Sequence, residues 1–286
     1  MRQVTFAVGL TVLCWWAVPV HAACPPDSVA AGNACIDTYE ASVWRIPPWN
    51  SALVEAAQAG KATLADLTAG GTLAAIQLGP ANACGGVGPG GNYGANFPFT
   101  GNWSPIEGSN PPSPGVYAVS VPGVPPSTCI TWFQANEACS LSHKRLLRND
   151  EWQRAAASTP DPGTDNGTTD CNIASTYAPS DTGSRSKCKS VWGAFDMVGN
   201  ASEWVSDWAD RAVNCTSWTS SAPVQSIPGS DLSCFGGPGG PGDMSLPAAL
   251  VRGGSYFDGP AAGVFAVDAF VHPSESFYAL GFRCAR

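Results

Sequence analysis

Histidine is nearly missing from this sequence: three occur in 286 residues, and one of them, His21, lies in the N-terminal apolar stretch. His143 and His272 alone cannot build a three-histidine iron centre, and a histidine-rich zinc hydrolase fails on the same count. No CxxC pair occurs, which removes zinc ribbons and thioredoxin-like redox motifs. Charge is sparse as well. Charged residues make up 13% of the chain, 14 basic against 22 acidic, so the basic track that nucleic acid requires is absent. No GxSxG elbow is present, and Ser255 in "GGS" (253–255) with His272 as its base is a weak substitute. His272, beside Pro273, reads as an ordinary loop residue. No apolar run after the first twenty residues is long enough for a bilayer, so no transmembrane segment is expected.

What is present points to an exported chain. "MRQVTFAVGLTVLCWWAVPVHAAC" combines an early arginine, an apolar run from Val4 to Val20 and small residues at Ala22 and Ala23, the composition of an export signal over 1–23. Cys24 directly after Ala-Ala raises a lesser alternative, a lipid-anchored cysteine. Without Cys14 ten cysteines remain, and an even number in an exported chain argues for disulfides in a secreted or periplasmic protein. The full chain holds 32 Gly and 25 Pro and carries a net charge of −8, and residues 24–286 read as one loop-rich domain tied by disulfides.

Residues 24–44 alternate short apolar runs with turn residues and read as strand, turn, strand. The alanine-rich stretch 54–70 predicts one short helix closed by Gly70. From Gly79 to Pro125 glycine and proline interrupt every pattern, although Cys84, Tyr93, Phe97, Phe99 and Trp103 favour an ordered insertion. Trp132, Ala135, Ala138 and Cys139 fall on one helical face. A second helix is predicted from about Arg148–Asn149, with Trp152 and Ala155 inward and Asp150 and Glu151 at its positive end. A further Gly/Pro tract, 235–243, precedes "ALVRGGSYFDG" and "ALGFRCAR", which read as strands around a loop at 259–279.

The segment "GAFDMVGNASEWVSDW" (193–208) is the densest in chemistry. Two readings compete. Asp196 and Glu203 with the carbonyls of Gly199 and Ala201 offer the hard oxygens that calcium prefers. Alternatively Asn200 caps a helix, Glu203 stands at its third position and the tryptophans are core. On the residues alone the capping reading is favoured.

Three stretches, "ITWFQANEACSLSHKRLLRNDEWQRAA", "GAFDMVGNASEWVSDW" and "LVRGGSYFD…LGFRCAR", together resemble the formylglycine-generating (sulfatase-modifying factor) family, closely over 129–286 and more loosely at "CIDTYEASVW". The resemblance implies an α+β, C-type-lectin-like fold with little regular secondary structure. It implies a structural calcium site at Asp196, Gly199, Ala201 and Glu203, and a second whose Asn-Ile pair corresponds to Asn172 and Ile173. It also implies a disulfide between Cys139 and Cys284. Cys171 and Cys188 bracket a 16-residue loop and are candidates for another, worth about 3 kcal/mol in the chain-entropy model. The family's catalytic members hold copper through two cysteines after "GGSY"; the matching positions are Asp258 and Gly263, so copper is not expected.

The surface around those positions remains. Tyr256, Phe257, Phe270, His272, Phe277 and Tyr278, with Asp258 and Asp268 among them, suit a binding surface for a protein, peptide or small molecule. Phe265 and Val267 read as core by their alternation. The leading expectation is thus a calcium-stabilised binding domain without catalysis. The alternatives are a formylglycine-generating oxidase with displaced cysteines and a variable binding protein diversified by a retroelement, since the segment is similar to the variable regions of such proteins.

Overall fold

The computed structural model of the protein describes residues 23–71, 74–79, 93, 115–161, 163–217, 231–238 and 247–286. Short strands, four short helices and long irregular connections make an α+β fold. Strands β1 (Ser28–Ala31) and β2 (Ala34–Asp37) form a hairpin whose turn is made possible by Gly32 at φ +70°. The tail of the chain lies beside it. β13 (Cys284–Ala285) pairs with β2 on one side and with β6 (Arg145–Leu146) on the other. A second sheet sets β3 (Ser42–Ile46) between β4 (Ile76–Leu78) and β5 (Gly115–Val119).

The single helix expected over 54–70 is two. α1 (Ser51–Gln58) stops because Gly60 turns at φ +67°, where a Cβ would stand 2.2 Å from the Asp27 carboxylate. α2 (Leu64–Leu67) restarts behind Thr63, whose hydroxyl accepts from the Asp66 amide while Asp66 accepts from the Thr63 amide. α3 (Trp132–Leu141) buries Ala135, Ala138 and Cys139 and leaves Trp132 half-buried, with its indole donating to the Val205 carbonyl at 2.8 Å. α4 (Asn149–Ala155) buries Trp152 and Ala155. Cys139–Cys284 fastens α3 to β13 across 145 residues. Cys24–Cys35, Cys171–Cys188 and Cys215–Cys234 are also bonded, and so is Cys129.

The large sheet carries the order β12 (Leu280–Phe282), β7 (Ser202–Asp210), β10 (Pro247–Arg252), β11 (Val267–Asp268), β9 (Leu232–Pro238), β8 (Ala212–Ser217). The helix expected at Glu203 is therefore strand β7. It runs antiparallel to β10 and parallel to β12, and residues 202–205 are buried on both faces. A strand covered on both faces loses the alternation that would announce it. Trp204 is fully buried, and its indole donates to the Ile130 carbonyl at 3.0 Å. It packs with Phe282, Leu280, Ile130 and Val43, while Trp152, Ile36, Leu147 and Val205 form a neighbouring core.

Phe265 departs from its expected place. It stands 38% exposed in the turn before β11, so the alternation that buries Val267 has not begun at 265. Of the aromatics expected to order the 79–125 stretch, Tyr93 is fully buried and donates to the Thr128 carbonyl at 2.8 Å. Cys84, Phe97, Phe99 and Trp103 lie outside the described residues, as do residues 1–22 of the export signal and residues 239–243.

Candidate functional site

Ahead of β7 the chain makes an unusual turn. Asp196, Gly199 and Asn200 all adopt left-handed backbone, at φ +58°, +72° and +60°. Asn and Asp tolerate that region, and at 199 a Cβ would lie 2.3 Å from the Asn172 carbonyl oxygen. The turn points Asn200 inward rather than onto a helix end. Its amide nitrogen donates to Glu40 Oε2 at 2.5 Å, and its oxygen accepts from the Ser180 amide at 2.7 Å. The Ala201 amide donates to Glu40 Oε1 at 2.8 Å. Glu203 accepts from Arg283 Nε at 2.8 and 2.9 Å, from Arg283 Nη2 at 2.5 Å and from the Trp152 indole at 2.7 Å. Arg283 also donates to the carbonyls of Asp37 and Phe195.

This network has too little positive charge. Glu40, Asp196 and Glu203 are all buried around the single Arg283, and Arg185 is committed to Asp165 at 3.2 Å. Burial pushes Glu40 well above the carboxylate range, with Asp196 and Glu203 adding to the rise. Burial likewise holds Asp196 at about 7, against the Gly183 amide and the charge of Arg283. Buried, hard-oxygen and negative in excess, the Asp196 side fits a hard cation. Glu203 fits less freely: its four hydrogen bonds fill the roughly four acceptor positions of a carboxylate, so a cation there competes with Arg283.

Asn172 and Ile173, expected at a second such site, carry hydrogen bonds within the loop. The Asn172 side chain accepts from Thr176 and donates to Ala178 and Asn200, and the Ile173 carbonyl accepts from the Gly259 amide. The anchor of this loop is Asp165. It accepts from the amides of Gly167, Ile173, Ala174 and Ser175, the Ser175 hydroxyl and Arg185. Burial raises it, yet these donors outweigh burial and hold it at about 2.

The loop after β10 is built differently. A cavity of about 190 Å³ lies among Ser202, Val251, Ser255, Phe257, Asp258, Asp268 and Phe277. Asp258 accepts from the Ser255 amide at 2.7 Å and its hydroxyl at 2.8 Å, which closes the turn. Asp268 accepts from the Phe270 amide at 2.6 Å. Burial raises both carboxyls, and Asp268 is raised further by Asp258 and Glu275. At the rim Phe257 and Tyr278 are about half exposed, with ring centres 5.7 Å apart. Tyr256, expected on the surface, is 4% exposed and supports that rim from below at 5.2 Å from Phe257.

The remaining expected surface residues lie elsewhere. Phe270 stacks under Arg211 at 4.4 Å, and His272 faces a separate hollow with Phe133, Trp208, Pro247 and Glu275. The positions that match the family's thiols hold no copper ligand. Asp258 carries a hard oxygen, and a Cβ at Gly263 would stand 2.2 Å from the Asp231 carboxylate. Copper does not fit these two positions, and every described cysteine is disulfide-bonded.

Sequence reasoning missed Glu40, Arg283 and the Asp161–Asp231 pair. For the first two a signal existed: a lone charge inside an otherwise apolar stretch, "YEASVW" or "LGFRC", predicts a buried partner. Asp161 and Asp231 join only through the tertiary fold. Burial and Asp161 raise Asp231 to about 7, against the Phe265 amide.

Residues 55–286 match the model of a protein family described as "Sulfatase-modifying factor enzyme 1-like domain". No curated protein matches the chain. Among solved structures it resembles the Major Tropism Determinant U1 variant (TM-score 0.45, 18% identity, 92% of this chain and 53% of that one). PvdO from Pseudomonas aeruginosa is similar at TM-score 0.38 and 17% identity, over 88% of this chain and 93% of that one. The P3c variant of the Major Tropism Determinant gives TM-score 0.36 and 24% identity over 55% of this chain; the match spans only 37% of that protein's length.

Proposed function

Because the chain belongs to the sulfatase-modifying factor enzyme 1-like family, yet carries Asp258 and Gly263 where catalytic members carry thiols, we propose that it is an exported binding domain. In this reading the cavity and aromatic rim of the C-terminal loop hold a ligand, a protein, peptide or small molecule, in place of oxidising a cysteine. The observation that carries it is steric: the Asp231 carboxylate occupies the volume that a side chain at 263 would need. Export is supported by the N-terminal apolar leader and by four disulfides among the described residues. No helix among the described residues is long and apolar enough to cross a membrane. Calcium enters as a stabiliser: Asp196, the carbonyls of Gly199 and Ala201, and Glu203 in exchange with Arg283 would hold it, relieving the buried negative excess.

One observation favours a second reading, an oxidase with displaced cysteines. The sulfurs of Cys215 and Cys234 and the Asp268 carboxylate lie within 4.8 Å of one another, at the edge of the cavity. Reduced, that pair would present two soft sulfurs. Incubation of the purified chain with copper(I), oxygen and a cysteine-containing peptide separates the two. The binding reading predicts that no formylglycine forms in the peptide, as read by mass spectrometry. Conversion of that cysteine to formylglycine would establish the oxidase and overturn the proposal.

A further inference from the structure

Several buried carboxylates elsewhere in the molecule find cations. Lys144 lies 2.6 Å from Asp27 and 2.7 Å from Asp37, Arg145 lies 2.6 Å from Glu151, Arg185 pairs with Asp165 and Arg283 with Glu203. The cavity beside β7 and β10 breaks this pattern. Asp258 and Asp268 both line it, and among the described residues no Lys, Arg or His stands in its walls. Arg252, on the same strand β10, lays its guanidinium over the Trp152 ring at 4.5 Å and donates to Gln153 and the Ala266 carbonyl. A second observation points the same way. Ser202 is 8% exposed and lines the cavity, and its hydroxyl makes no hydrogen bond to a described residue. A hydroxyl that opens on a cavity with no partner among the described residues is one that a ligand can satisfy.

We propose that this cavity binds a primary ammonium group, held between Asp258 and Asp268, with Ser202 accepting one of its protons and the Phe257 and Phe277 rings lying against its methylenes. The inference rests on the binding reading above and names the ligand class of that site. A primary ammonium supplies three donors to three acceptors, which a neutral or anionic group of the same size cannot do. The ring of Phe257, half exposed at the mouth, adds the attraction of an aromatic face for a cation. A volume of about 190 Å³ equals roughly six waters at about 30 Å³ each, room for a butyl chain with its head group. The same ammonium could arrive on a free amine or on a lysine side chain of a partner protein.

Calorimetric titration of the full mature chain with butylammonium tests this, with butanol and butanoate as isosteres of other charge. The expected result is butylammonium binding at least tenfold tighter than either isostere. D258N and D268N should each weaken it about tenfold, and S202A about threefold, with thermal unfolding of all three variants unchanged within a few degrees. An end-blocked lysine peptide that binds tighter than butylammonium identifies a protein source, and equal affinity identifies free amines. Equal binding of butanol and butylammonium overturns the proposal, as does unchanged affinity in a folded D258N/D268N double variant. The two readings fail separately. If amines do not bind and no formylglycine forms with copper and oxygen, only the ammonium assignment is lost; formation of formylglycine removes the binding reading itself.

Discussion

Asp165 and Asp258 are both withdrawn from water on loops of the same protein, and they are treated in opposite ways. Asp165 receives four backbone amides, a hydroxyl and an arginine, and its carboxyl falls to about 2. Asp258 receives one amide and one hydroxyl from Ser255, and burial leaves it above the ordinary range. Desolvation acts on both; the count of donors decides the sign. A carboxylate closed off by the protein's own donors is part of the framework. One left facing open volume without a counter-charge keeps its capacity for something that comes from outside. By the same measure the 196–203 turn lies between the two, since Glu203 is saturated while Asp196 and Glu40 are raised.

The largest effect should come from breaking the closed side. R283M leaves Glu203 buried without its cation, which costs about 3–5 kcal/mol. Denaturant unfolding measures it, and a loss near zero would mean that the Glu203–Arg283 pair holds nothing together. Next in size is calcium. If Asp196 and the neighbouring carbonyls take the ion, millimolar calcium over chelator stabilises the chain by about 2.7 kcal/mol at a concentration a hundredfold above Kd. D196N should abolish that gain. An unchanged melting temperature with and without calcium would assign the charge relief to protons instead.

The smallest effect carries a pH signature. Asp231 titrates near 7 when folded and near 3.8 in its ordinary state, so the folded chain binds the extra proton between those values. Stability from this group therefore falls as pH rises from about 4 to 7, and the full penalty persists above 7. D231N should stabilise at pH 8 by roughly 1–2 kcal/mol, with no gain at pH 3.5. Its amide also gives a donor to Asp161, whose Oδ2 is buried without a partner. Asp165 works with the opposite sign: its contribution is complete above about 4 and is lost as pH falls through 2. Thermal unfolding across this range, with and without D231N, separates the two slopes.

Where local chemistry sets the structure, the sequence was readable. Helices α3 and α4 follow from the spacing of Ala135, Ala138 and Cys139 and of Trp152 and Ala155, and each burial holds. The β1–β2 hairpin follows from "AAGNAC" and its glycine. The helix expected at Glu203 was a misreading because residues 202–205 of β7 are buried on both faces, Trp204 in one core and Val205 in the other, so neither the period of a strand nor that of a helix survives there. The open cavity was half legible. Asp258, Asp268, Phe257 and Phe277 came from one segment of sequence, whereas Ser202 arrives from β7 and joins them only through the sheet. Nothing local marks Asp231 as the residue that fills the space beside Gly263, 32 positions later in the chain.

The contrast between closed and open carboxylates is tested most directly by a site-resolved titration, following the carboxyl carbons of Asp165, Asp258 and Asp268 by NMR. The account predicts that Asp165 titrates near pH 2 while Asp258 and Asp268 titrate above the ordinary aspartate range. If Asp258 and Asp268 instead titrate alongside Asp165, the cavity's acids are as fully satisfied as the framework's, and the distinction on which the site rests is wrong.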